Sequence, residues 1–209
     1  MAILTVHPDN KTFYSKDNVL YNKSTNSIIF SAPAMDIEEL ELDEVTTISS
    51  YAFQYSKVKR IVPANGLKTI NSYAFEQSNI EFFDFVPTIT TISNNAFANC
   101  KQLVSAHLSE GVSSLGSQCF YNNIALQEIS FGNVIKTIPS ECCSGCTMLK
   151  TISFPESVTT FNNSCFYNCY STENVVLPIG TASVGTSAFY KVNFGKNLLP
   201  NITTNSNCF

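Results

Sequence analysis

One phrase recurs along this chain and fixes most of what the chain can become. "TTISSYAFQYS" at 46–56 returns as "KTINSYAFEQS" at 68–78 and as "TTISNNAFANC" at 90–100. Each copy holds a small residue followed by a bulky one, and the second member falls at Phe53, Phe75, Phe97, Phe120, Cys143, Phe166, Phe189 and Phe209, in steps of 22, 22, 23, 23, 23, 23 and 20. Five residues earlier stands an apolar side chain: Ile48, Ile70, Ile92, Leu115, Ile138, Phe161 and Val184. Three before that stands another: Val45, Leu67, Ile89, Val112, Ile135 and Val158. The seventh copy departs there, with Thr181 at that position and Ala182 beside it, and the last window has Thr204 where an apolar residue is due. A unit this short cannot bury its own apolar face, so the period demands stacked units, each covering the next.

Between phrases lies a second signature, apolar-x-x-apolar-x-apolar. It reads Ile80…Phe83-Asp-Phe85, Leu103…Ala106-His-Leu108, Leu126…Ile129-Ser-Phe131 and Leu149…Ile152-Ser-Phe154. Its last three positions alternate as a half-buried strand does, so each unit supplies one short strand. A period of about 20 to 29 residues with L-x-x-L-x-L is the leucine-rich-repeat pattern. The predicted fold is a curved right-handed solenoid with a parallel concave sheet and turns or short helices on the convex side. The fuller consensus, close to L-x-x-I-x-F-P-x-x-V-x-x-I-x-x-x-A-F-x-x-C, resembles the BspA-like class of leucine-rich repeats over about residues 37–209. "LKTISFPESVTTFNNSCFYNC" at 149–169 follows it almost position for position.

The first segment reads differently. Val19-Leu20-Tyr21 and Ser27-Ile28-Ile29-Phe30 flank the polar string Asn22–Asn26, which predicts a hairpin with a five-residue loop. Such a hairpin suits the exposed edge of the first repeat, where a cap is needed. Asp17-Asn18-Val19-Leu20-Tyr21 also resembles the hairpin element that punctuates BspA-like arrays. The expected division is a cap over 1–36 and seven to eight repeats over 37–209, the last incomplete. Cys208-Phe209 stands inside a repeat phrase with no polar cap after it, from which a continuing polypeptide or some other cover for the last face is expected.

Composition narrows the function. A net charge of -4, with twelve Lys and Arg that form no run, argues against nucleic acid as a partner. No window approaches the roughly 18 to 20 apolar residues of a membrane helix, so no membrane insertion by this segment is expected. "MAILTVHPDN" lacks a basic n-region and an apolar h-region, so no export signal is read there. Cell-surface or secreted placement would need a signal or anchor outside this segment; otherwise the reading is cytoplasmic.

The eight cysteines invite a metal or disulfide reading, yet repeat register accounts for each of them. Cys119, Cys142, Cys165 and Cys208 take the small position, Cys143 replaces the recurring Phe, and Cys100, Cys146 and Cys169 follow the bulky residue by three. Buried reduced thiols are therefore expected, and no cofactor. Ser105, His107, Glu128 and Ser130 lie close enough in register to form a Ser, His and Glu cluster, but no G-x-S-x-G elbow or nucleotide-binding motif occurs. Four N-x-[ST] sequons, at Asn10, Asn22, Asn162 and Asn201, are glycan acceptors only in an exported chain.

What remains is a surface. Register places Glu39, Arg60, Phe82, Ser105, Glu128, Thr151 and Asn174 in one row of the concave sheet. Glu41, Val62, Asp84, His107, Ser130, Ser153 and Val176 form the next. Arg60, Phe82, Asp84, His107, Glu128 and Ser130 are the candidate binding face for a protein ligand. The BspA-like resemblance implies a surface or secreted protein that adheres to host matrix or cells. A cysteine pattern needing no oxidising compartment leaves an intracellular scaffold or assembly subunit as the alternative.

Overall fold

The computed structural model describes residues 3–33, 37–173, 175–195 and 207–208. Three strands, β1 (Phe13–Lys16), β2 (Val19–Asn22) and β3 (Ser27–Ser31), precede the repeats. Each coil then supplies a pair: β4 (Glu39–Glu41) and β5 (Thr47–Ile48), β6 (Arg60–Val62) and β7 (Thr69–Ile70), β8 (Phe82–Phe83) and β9 (Thr91–Ile92). The series continues with β10 (Ser105–His107) and β11 (Ser114–Leu115), β12 (Glu128–Ser130) and β13 (Thr137–Ile138), β14 (Thr151–Ser153) and β15 (Thr160–Phe161), ending at β16 (Ser183–Val184). All pairings between coils are parallel and hold the repeat register, for instance Ile48 beside Ile70 beside Ile92.

This is a leucine-rich-repeat solenoid. The concave sheet comprises β4-β6-β8 and β10-β12-β14, and a second parallel sheet comprises β3-β5-β7-β9-β11 and β13-β15-β16. Each ladder is interrupted once. Between β8 and β10 the Val104 N–H still donates to the Glu81 carbonyl at 3.1 Å. Between β11 and β13 Pro139 removes one donor. Its counterparts Asn71, Ser93 and Gly116 each donate an N–H to the preceding coil at 2.8–3.0 Å, and proline has none to give.

The phrase itself forms a turn arc, and no helix occurs among the described residues, so the convex side uses turns rather than helices. The N–H groups alternate in destination. Ala74, Glu76 and Ser78 close turns inside their own coil, at 3.2, 3.2 and 3.0 Å, whereas Tyr73, Phe75 and Gln77 donate to Asn94, Ala96 and Ala98 of the next coil at 3.2, 2.7 and 3.0 Å. This alternation needs left-handed backbone at the first and fifth arc positions. Tyr51 and Tyr55, Tyr73 and Gln77, Asn95 and Asn99, and their equivalents through Ser187 and Lys191 have φ between 53° and 78°. Such a residue costs roughly 1–2 kcal/mol when it carries a Cβ, offset by the bonds to the next coil and the phenylalanine each arc buries.

Those phenylalanines form a column. Phe53, Phe75, Phe97 and Phe120 stack at centroid distances of 5.0, 4.8 and 5.5 Å, and Phe166 stacks on Phe189 at 5.7 Å. Cys143 interrupts the column. Phe131 and Phe154 come in from the strand side and meet Phe166 edge-on at 6.5 and 5.5 Å, supplying ring volume beside the gap. The seventh coil keeps its register, with Val184 buried beside Phe161. Thr181, rather than Ala182, fills the inner position, its hydroxyl donating to the Pro178 carbonyl at 2.7 Å.

The N-terminal cap is a three-stranded meander. β2 pairs antiparallel with β3 as expected, across Lys23–Asn26, and β1 adds an unanticipated third strand. β1 turns into β2 through Asp17 and Asn18, whose φ values of 50° and 59° make the tight hairpin geometry these two residue types tolerate. Tyr14 stacks on buried Tyr21 at 4.6 Å, and β3 continues in parallel register with β5. The cap therefore lengthens the second sheet. The expected cap and repeat boundary at 36 and 37 adjoins residues 34–36, which with Asn174, Asn201, Thr204 and Phe209 lie outside the described residues.

All eight cysteine side chains are buried and unbridged. Cys119 and Cys142 on adjacent coils bring their Sγ atoms to 3.5 Å, while Cys100, Cys146 and Cys169 each donate to a carbonyl of the preceding coil at 2.9–3.2 Å. Burial pushes the Cys100 thiol up to about 12 and raises Cys119, Cys143, Cys165 and Cys169.

Two expectations follow from this core. Phe97→Ala, at a fully buried position between two stacked rings, should lower unfolding free energy by about 3–5 kcal/mol in urea titrations. Above about pH 9 the thiols of Cys100, Cys119, Cys143, Cys165 and Cys169 ionise in the unfolded chain while their native counterparts hold their protons, so their contribution to stability should fall as pH rises through that range. Cys100→Ala should flatten that alkaline decline.

Candidate functional site

The concave strands expose alternate side chains, because the period of two sends Leu40, Ile61, Phe83, Ala106 and Ile129 into the core. Register places Glu39 beside Arg60 beside Phe82, then Ser105 beside Glu128 beside Thr151. The second row carries Glu41 beside Val62 and His107 beside Ser130 beside Ser153. Phe82 is 42% exposed, an uncommon placement for a phenylalanine whose neighbour Phe83 is buried. Asp84 stands just past β8. Of the expected rows, Asn174 lies outside the described residues, and Val176 is exposed beyond the last concave strand.

Sequence spacing did not reveal how the charges pair. The Arg60 guanidinium donates through Nη2 to both Asp84 carboxylate oxygens, at 3.2 and 3.1 Å, and its Nε lies 3.4 Å from Glu39. Hydrogen bonding to Asp84, the Asp84 charge and Glu39 all hold the Arg60 pKa above its ordinary value. The three side chains form a charged patch beside Phe82, its net charge negative. All are partly exposed, so the patch orients groups more than it stabilises the fold.

Across the sheet, His107 Nδ1 lies 3.2 Å from the Ser130 hydroxyl and its Nε2 lies 3.9 Å from Glu128. The composition is that of a nucleophilic triad, but the setting is not. His107 and Glu128 are more than half exposed, and nearby strand N–H groups are committed to the ladder, Leu108 to the Ser130 carbonyl and Phe131 to the Ser153 carbonyl. Neither of these two groups is free to receive an oxyanion. Among the described residues no group of His, Cys, Asp or Glu is arranged to hold a metal ion, and no helix is long and apolar enough to cross a membrane.

The six candidate residues thus fall into two clusters on one face, Arg60 with Asp84 and Phe82, and His107 with Glu128 and Ser130. A second concavity, on the turn arcs around Gly145, was not anticipated. Its only sequence signal is a glycine where neighbouring copies carry Asn.

Solved structures share this architecture. A leucine-rich repeat protein from Eubacterium ventriosum superposes with a TM-score of 0.71 at 20% identity, covering 98% of this chain and 56% of that one. A leucine rich cell surface protein from Faecalibacterium prausnitzii gives 0.65 at 25% identity over 70% of this chain and 40% of its own. The pneumococcal vaccine antigen PcpA gives 0.63 at 20% identity over 88% and 45%. This chain spans about half the length of these proteins. No curated protein sequence matches it. The model of the BspA type leucine rich repeat region matches six copies, over residues 10–104 and 68–196. The chain belongs to the BspA-type leucine-rich-repeat family.

Proposed function

We propose that this chain is a non-catalytic protein-binding module of a surface or secreted protein that adheres to host matrix or to other cells. Its ligand sits on the concave face from Arg60 to Ser130. The observation that carries this reading is Phe82, an exposed aromatic held in register beside the Glu39–Arg60–Asp84 patch. An aromatic flanked by oriented charges is the usual composition of a binding hot spot. The sheet holds these side chains on rigid, hydrogen-bonded strands, so little ordering is needed on binding. The net negative patch favours a ligand presenting a basic side chain next to an apolar one. One structural neighbour is a leucine rich cell surface protein and another a pneumococcal vaccine antigen, which supports an exposed location.

A second reading, an intracellular scaffold using the same face, is favoured by the eight buried, unbridged thiols, which suit a reducing compartment. Affinity purification of the native protein from its source cells, with thiol and glycan status read on the same sample, separates the two. Matrix or surface proteins recovered with a glycosylated chain support adhesion. An intracellular assembly recovered with free thiols and no glycan overturns it.

With the partner in hand, Phe82→Ala should weaken binding by about 2 kcal/mol, roughly 30-fold, in a calorimetric titration. The same substitution should leave the urea midpoint within about 0.5 kcal/mol of the parent. Asp84→Lys should weaken binding further by reversing the patch charge. Full affinity in both variants would move the ligand off this face.

A further inference from the structure

The arcs carry side-chain ladders as well as backbone ones. At the fifth arc position, Asn122 Nδ2 donates to Asn99 Oδ1 of the preceding coil at 2.8 Å. At the first position, Asn95 donates to Gln118 at 2.9 Å and Gln118 to Glu141 at 3.0 Å, which fixes the Glu141 carboxylate. The fifth-position ladder then fails. Gly145 follows Asn122 and precedes Asn168, and it has no side chain with which to answer either amide.

The missing rung opens a concavity of about 600 Å³, within the range of small-ligand sites. Ser144 and Gly145 form its floor, and Tyr121 on one side and Tyr167 on the other form its walls. The walls stand two coils apart, about 10 Å at the spacing of paired strands. Tyr167 is backed by Tyr190, stacked at 5.0 Å, which holds its ring in place, and Tyr170 stands more than half exposed at the rim. No Lys, Arg or His lines the space.

We infer that this notch is a carbohydrate-binding site for a neutral saccharide of one or two pyranose rings. The match is chemical. Tyrosine faces offer apolar surfaces to the C–H face of a pyranose, and the Asn122 and Asn168 amides and the Glu141 carboxylate offer the paired acceptors and donors that vicinal hydroxyls need. A single carboxylate with no cation disfavours sialylated or sulfated sugars. The site lies on the turn arcs, apart from the Arg60 to Ser130 face, and stands or falls independently of it.

The discriminating variant restores the missing rung. Gly145 has φ 78°, an added Cβ would meet Asn122 atoms at 3.5 Å, an ordinary contact, and Asn already occupies this left-handed position at 99, 122 and 168. Gly145→Asn should therefore fold with an unchanged or raised melting temperature while filling the notch. Cellobiose, chitobiose, lactose and maltose would be titrated into the whole chain, with a sialylated trisaccharide and a tyrosine-containing peptide library as controls, following backbone amide shifts by NMR. At least one neutral disaccharide should shift Gly145 and Asn168, and Gly145→Asn and Tyr167→Ala should each lose tenfold or more in affinity. Absence of shifts at about 10 mM sugar, ten times the Kd of a millimolar site, would overturn the assignment. Binding unaltered in Gly145→Asn, or tighter binding of the sialylated sugar or a peptide, would overturn it equally.

Discussion

The structure depends on backbone N–H groups that have no partner within their own coil. In each of the five arcs from Tyr73 to Asn168 three donors point along the solenoid axis, and only the next coil can accept them. Left exposed to apolar surroundings, each would cost about 1–3 kcal/mol. The coils are consequently not independent units resting on one another. Their backbones are completed by their neighbours, and that explains why the phrase must repeat with little change in length. An inserted residue would move every donor in the arc off its acceptor.

Side chains follow the same economy of columns. Because equivalent positions stack directly, each column can change residue type only where adjacent columns compensate in volume. The phenylalanine column yields to Cys143 where Phe131 and Phe154 crowd in. The column three residues beyond runs Ser56, Ser78, Cys100, Asn123, Cys146 and Cys169, and its three cysteines reach carbonyls of the preceding coil. Asn123 is the exception, fully buried with both amide atoms unpartnered.

The solenoid, its register and the cap were legible in the sequence because each repeats an apolar period that packing must obey. Phe82 exposed and Phe97 buried follow from that period alone. Other features were not legible, for physical reasons. β1 is only four residues long, and only Asp17-Asn18 hinted at its turn. The left-handed arc residues are Tyr, Gln, Glu, Ser and Lys more often than Asn, and glycine marks the position once, at Gly145; elsewhere the next coil imposes the conformation. The Arg60–Asp84 pairing depends on a diagonal between strands, and the notch at Gly145 depends on what is missing from a column, which no motif encodes.

The two interruptions in the strand ladders also bear on how the array resists being pulled apart. The concave break lies between the coils of β8 and β10, whereas the Pro139 break lies one interface further on, between β11 and β13. At the first interface β9 and β11 stay paired, and at the second β10 and β12 do. The joints are staggered, as in a brick wall, so no straight plane of fracture crosses the solenoid. A force along its axis must always tear at least one intact course. Had proline stood one coil earlier, both gaps would have fallen together and the array would have had a hinge.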